Sequence, residues 1–142
     1  MGTGCQITKG SYLFFLLFTL SVNGEHCLAS EANDLETGKR LYGELCAGCH
    51  GENAEGQDPK RRAGGLDENR VPIAPALNGT AHTWHHSPKL LFKYIDTGSI
   101  IKNSPMPAFG NQLNRQEILS IISYFQSLWS EKRRSWYLEK YK

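Results

Sequence analysis

The chain has 142 residues, 39% of them apolar and 21% charged, with 16 Lys and Arg against 14 Asp and Glu. Ordinary fractions at this length predict one small domain around a single core. An excess of two basic side chains gives nucleic-acid binding no support. The first element is a targeting segment. Lys9 precedes the apolar run Tyr12 to Leu20, which has the length of a secretory h-region and is too short to span a bilayer comfortably. Two small-residue cleavage sites follow, one after Ala29 with Cys27 three residues back, the other after Gly24 with Val22 there. Cleavage after Ala29 is preferred because it also removes Cys5 and Cys27, leaving a mature chain of about 113 residues. The alternative is an uncleaved signal anchor. Glu25 and His26 stand where a lipoprotein pattern would need small residues before Cys27.

Asp34 is the expected cap of the first helix of the mature chain, in which Leu35, Gly38, Leu41, Tyr42 and Leu45 share one face. That helix runs into Cys46-Ala47-Gly48-Cys49-His50. In an oxidising compartment such a pair tends towards a disulfide or a covalent adduct. A thioredoxin-like redox pair would follow a strand and carry an aromatic and a Pro or Gly beside the cysteines, and no strand signal precedes Cys46. A structural zinc site needs four ligands, and the usual second pair is absent. Haem remains: C-x-x-C-H is the attachment pattern in which two thiols add across the vinyl groups and the following histidine becomes an iron ligand. Cysteines about one helical turn apart reach both vinyls while His50 turns towards the iron.

Residues 52–74 read as a long polar loop, with Lys60, Arg61 and Arg62 followed by Gly64-Gly65 and then Asp67 and Glu68. It is either simply solvated or the docking rim of an exposed haem edge. His82, His85 and His86 then crowd a short loop around Trp84. They are candidates for copper or zinc, for lining a haem pocket, or for displacing the distal iron ligand. Ser87-Pro88 reads as N-cap and first position of a helix with Leu91, Tyr94 and Ile95 inward and Gly98 as its stop. Met106 is the only methionine left after loss of the leader, and it lies between Pro105 and Pro107, which keep a helix from carrying its side chain away. Met106 is therefore assigned as the distal ligand, with a histidine from 82 to 86 as its rival. Asn114 and Glu117 form a capping box, Leu113 and Ile118 a hydrophobic staple, and Ile118, Ile121, Ile122, Phe125, Leu128 and Trp129 an apolar stripe. No stretch alternates as a strand. The tail, 131–142, is basic and aromatic, and is expected either to fray or to pack back through Trp136 and Tyr137, with contact to an acidic partner or an anionic membrane surface open to it.

These elements predict an all-α fold of three main helices and long loops, with haem supplying core that so short a chain lacks. Over residues 34 to 130 the sequence resembles the class I c-type cytochromes, small bacterial mono-haem proteins that also occur as haem domains of terminal-oxidase subunits. The resemblance rests on the haem motif, the Gly38 and Tyr42 pair, Ala74-Pro75-Ala76-Leu77-Asn78-Gly79, and the loop around Met106. It implies the cytochrome c fold, with Gly38 and Tyr42 where the first helix crosses the last, Pro75 accepting a hydrogen bond from His50, and Leu77 packing on the haem. One haem c, bound through Cys46 and Cys49 and ligated by His50 and Met106, is the implied cofactor. The expected layout is a secretory signal over 1–29, a mono-haem domain over 30–130 and the tail over 131–142. The expected activity is one-electron transport in the periplasm, without catalysis, between a donor dehydrogenase or cytochrome complex and a terminal oxidase or reductase. Two alternatives are a haem subunit of a dehydrogenase or oxidase complex, and a peroxidase-like or sensor-like protein in which Met106 dissociates.

Overall fold

The computed structural model describes residues 23–142, so the expected secretory segment lies, as far as residue 22, outside the described residues. Helix α1 spans Asn23–Leu45 and runs straight through Asp34, which is thus not its cap. Glu31, Ala32 and Leu35 and Glu36 are good helix formers, and extending an existing helix avoids a new nucleation step. The Asp34 carboxylate instead accepts a hydrogen bond from Gln116 Nε2 at 3.3 Å. After Leu45 the chain makes one further turn, α2, Ala47–His50.

Helix α4, Arg115–Ser127, carries the capping box in full: Glu117 N–H donates to Asn114 Oδ1 at 3.0 Å and Asn114 N–H to Glu117 Oε2 at 2.8 Å. It crosses α1 at Gly38, where any Cβ would overlap the backbone carbonyl of Ser120. Only glycine allows so close an approach. Around the crossing Leu41, Tyr42, Ile118, Ile121 and Ile122 are buried, with the Tyr42 and Tyr124 rings 5.2 Å apart. Leu35, expected on this inner face, is 40% exposed.

Helix α3, Pro88–Thr97, starts on Ser87, whose Oγ accepts from Leu90 N–H at 3.2 Å, and ends at Gly98 with φ +79°. Leu91 and Ile95 are buried and Tyr94 half-buried, as their spacing predicts. Two short strands that the sequence did not signal, β1 (Gly65–Leu66) and β2 (Pro72–Ile73), pair antiparallel across a turn held by Asp67, which accepts from Asn69 and Val71 N–H. Two residues per strand leave no alternation to read. A 3₁₀ turn at Thr83–His85 precedes α3.

The C-terminal end departs furthest from the simplest reading. Helix α4 stops at Ser127, so Leu128 sits past its last turn and is 38% exposed. From Ser130 a separate helix, α5 (Glu131–Lys140), folds back and buries Tyr137 against Trp129, with ring centroids 5.1 Å apart. Of the two expectations for the tail, packing rather than fraying holds. The fold is all-α, with α1, α3 and α4 as the three expected main helices and α5 added. Among the described residues no helix is long and apolar enough to cross a membrane.

Candidate haem-binding cleft

A cleft partly open to solvent lies between the α2 turn, the 72–77 segment, α3 and the 104–109 loop. Cys46, His50, Pro75, Leu77 and Met106 all line it, and Cys49 joins them at its edge. His50 is buried, and its Nδ1 lies 2.8 Å from the Pro75 carbonyl oxygen. A carbonyl only accepts, so Nδ1 carries the proton and donates, leaving Nε2 as the free electron-pair donor of the ring. Burial lowers the His50 pKa against the opposing effect of the Pro75 bond, which favours the neutral, ligating form. Burial, then the neighbouring Cys49, raises the Cys46 thiol to about 11. Both cysteines are free thiols rather than a disulfide, one half-buried and one exposed.

Each of these groups is held by bonds that local sequence does not announce. The hydroxyl of Tyr42 donates to the Gly51 carbonyl at 2.9 Å, tying the residue after His50 to α1. Pro75 is fixed from both sides. Gln57 exchanges two bonds with Ala74, and Ala76 N–H donates to the Arg62 carbonyl at 2.8 Å. The indole of Trp129 donates to the Leu77 carbonyl at 2.7 Å, giving a buried N–H its partner. Gln57 and Trp129 thus position the cleft from a distance in sequence. A buried Trp always needs an acceptor, but nothing in the sequence says which one.

Met106 is half-buried, and its loop is clamped to the end of α3. Phe109 and Gly110 N–H groups donate to the Ile95 and Asp96 carbonyls, each at 2.9 Å, satisfying acceptors that a helix end leaves open. Gly98 lies against the same loop, where a Cβ would come within 3.0 Å of Ala108 N and 3.2 Å of the Met106 carbonyl. The loop cannot move without disturbing α3.

His82 and His86 also line the cleft, half-buried, while His85 is exposed. Burial first, then neighbouring histidines, lowers the pKa of His82 and His86. The His82 and His85 rings stand 5.7 Å apart and nearly parallel, at 24°, so their in-plane lone pairs do not converge on one ion. Among the described residues no three His, Cys, Asp or Glu side chains are placed to hold a metal ion. Lys60, Arg61 and Arg62 are exposed, and Arg61 pairs with Asp58 at 2.7 Å, which holds the Asp58 carboxyl below its usual range.

Residues 35–129 match the family model of cytochrome c. The chain belongs to the cytochrome c family. It is a class I c-type cytochrome. This cytochrome is 30% identical over 111 residues to the CcoP subunit of a cbb3-type cytochrome c oxidase from Azospirillum sp. strain B510. That match covers 78% of this chain and 33% of the relative, so the cytochrome spans about a third of that protein's length. Among solved structures it is similar to cytochrome CL from the marine methylotrophic bacterium Methylophaga aminisulfidivorans MPT, at 26% identity and a TM-score of 0.53 over 90% of this chain and 75% of that one. Helix α5 begins just beyond the segment matched by the family model. The cleft suits the family's group: two free thiols, a neutral imidazole with Nε2 available, a thioether and a largely apolar lining.

Proposed function

We propose that this cytochrome carries single electrons between redox proteins of the bacterial periplasm, holding one haem c through Cys46 and Cys49 with His50 and Met106 as axial ligands. The observation that carries the reading is the 2.8 Å bond from His50 Nδ1 to Pro75, which orients the ring and frees Nε2 in a cleft that Met106 shares. A bound haem c supplies the one-electron couple of its iron. The chain does the rest. Cys46 and Cys49 retain the group by thioethers, Pro75 sets the imidazole tautomer, and Leu77 packs against the haem face. With its loop clamped to the end of α3, Met106 would be held in place as a distal ligand, which would keep reorganisation small. A thioether ligand favours a higher potential than a second imidazole would.

The leader over 1–29, with the haem domain at 30–130 and the tail at 131–142, supports export and hence a periplasmic site of action. The donor on this reading is a dehydrogenase or cytochrome complex, and the acceptor a terminal oxidase or reductase. Likeness to an oxidase subunit favours a second arrangement, in which the cytochrome is a haem subunit docked in such a complex.

The test is the absorption spectrum of the exported protein in both oxidation states. Methionine ligation gives ferric iron a weak far-red band, expected in the wild type and absent in Met106→Ala, whose potential falls. A wild type lacking the band would rule out Met106 as the ligand. Carbon monoxide binding to the reduced wild type would then mark an open, ligand-binding site, and its exclusion would mark His82 or His86 at the iron.

A further inference from the structure

Helix α5 lies outside the family match, yet two files of aromatic rings lead from the cleft to its surface. The first begins at His86 on the cleft wall and passes His85 at 5.0 Å and Trp84 at 5.4 Å to Trp136 at 5.0 Å between ring centroids. The second begins at Phe125, also on the wall, and passes Trp129 at 6.3 Å and Tyr137 at 5.1 Å to Tyr141 at 4.8 Å. They meet where Tyr141 donates its hydroxyl hydrogen to the His85 carbonyl at 2.8 Å and Lys140 Nζ sits 4.6 Å over Trp136 and 5.2 Å over Tyr141.

The outer end is exposed and charged. Trp136 is 39% exposed, and Lys132 and Lys140 stand one helical turn to either side of it on the same face. From 131 to the end the chain has five Lys and Arg, namely Lys132, Arg133, Arg134, Lys140 and Lys142, against Glu131 and Glu139. An exposed tryptophan bracketed by lysines has the make-up of a docking anchor, and charges around such an anchor select the partner and speed its approach.

We propose that the outer face of α5 is a second electron port, with Trp136 as its contact point, for a redox protein with an acidic docking surface. The inference rests on the carrier reading above. One electron passes from reduced haem to the docked oxidant, or back, by tunnelling through the packed rings; no bond breaks and no proton moves. An anionic lipid surface would suit the lysines equally, but would give no reason for the rings to be joined to the cleft.

The experiment uses the haem-loaded full chain and two anionic probes. Redox-inert hexacyanochromate(III) is expected to broaden the Trp136 indole N–H resonance in NMR spectra. In stopped-flow oxidation of the reduced protein by hexacyanoferrate(III) at low salt, Lys132→Glu/Lys140→Glu is expected to slow the reaction about tenfold, within the range of electrostatic steering. The equal charge reversal Lys39→Glu/Arg40→Glu on α1 should slow it far less. Trp136→Leu should slow it severalfold at an unchanged reduction potential, and Trp136→Phe should restore the rate. Equal effects of the two charge reversals, or broadening confined to Lys60 to Arg62, would overturn the port while leaving the carrier intact. Binding to phosphatidylglycerol vesicles that is lost on reversing Lys132 and Lys140, without the rate effects, would make α5 a membrane contact instead. A protein without a covalent haem spectrum would overturn the carrier and the port together.

Discussion

At the scale of single residues, one hydrogen bond does most to define the cleft. His50 reads as a ligand from its place after Cys49, but its tautomer is settled by a proline carbonyl 25 residues away. The cleft histidines also set a pH dependence. His82 and His86 have pKa values below the ordinary 6.5 because burial penalises the imidazolium. Between the lowered values and 6.5 the unfolded chain binds more protons than the folded one, so stability rises with pH there and is lost as pH falls through it. The urea midpoint of the haem-loaded protein is therefore expected to climb from pH 5.5 to 7.5, and to climb less in His82→Gln/His86→Gln. A slope that is the same in both would show that neither histidine contributes. Met106→Ala belongs to this scale too: loss of the far-red band at an otherwise intact haem spectrum is the expected result.

At the scale of helices, the capping box of α4 and the Ser87-Pro88 start of α3 were legible because capping is local chemistry, confined to four consecutive residues. Asn114→Ala is expected to lower stability by about 1 kcal/mol in urea unfolding, the usual cost of a lost cap. Leu35 and Leu128 show the limit of periodicity. Leu35 lies on the apolar stripe of α1 and Leu128 just past the end of α4, and both stay partly in water. The crossing of α1 and α4 depends on Gly38. Gly38→Ala would push a methyl into the Ser120 carbonyl, and overpacking of this kind costs roughly 1–3 kcal/mol. Calorimetry should show a lowered Tm with the haem spectrum retained, and an unchanged Tm would mean the helices can part freely at this point.

At the scale of the whole molecule, α5 closes one side of the domain. Tyr137 is buried against Trp129, whose indole in turn holds the Leu77 carbonyl beside the cleft. Burial raises the Tyr137 hydroxyl to about 12, so it stays protonated throughout the neutral range. Tyr137→Ala is expected to cost about 3 kcal/mol, in line with loss of a buried aromatic ring. In a Trp136→Phe background, truncation after Ser130 should in addition expose Trp84 and Trp129, seen as a red shift of indole fluorescence relative to the untruncated Trp136→Phe chain. Fluorescence identical to that of the untruncated chain would mean that α5 does not cover them in solution.

The candidate haem-binding motif is written in contiguous residues. Cys46, Cys49 and His50 within one turn, Met106 between two prolines, and the helix caps are short-range patterns whose meaning depends on neighbours in the chain. Gln57, Trp129 and the file of rings reaching Trp136 depend on residues brought together from far apart, and no local pattern encodes which donor meets which acceptor. The fate of the tail was undecided for the same reason. Its aromatics could as well have remained in water, and only the surface formed by Trp84 and Trp129 in the folded domain gave them something to pack against.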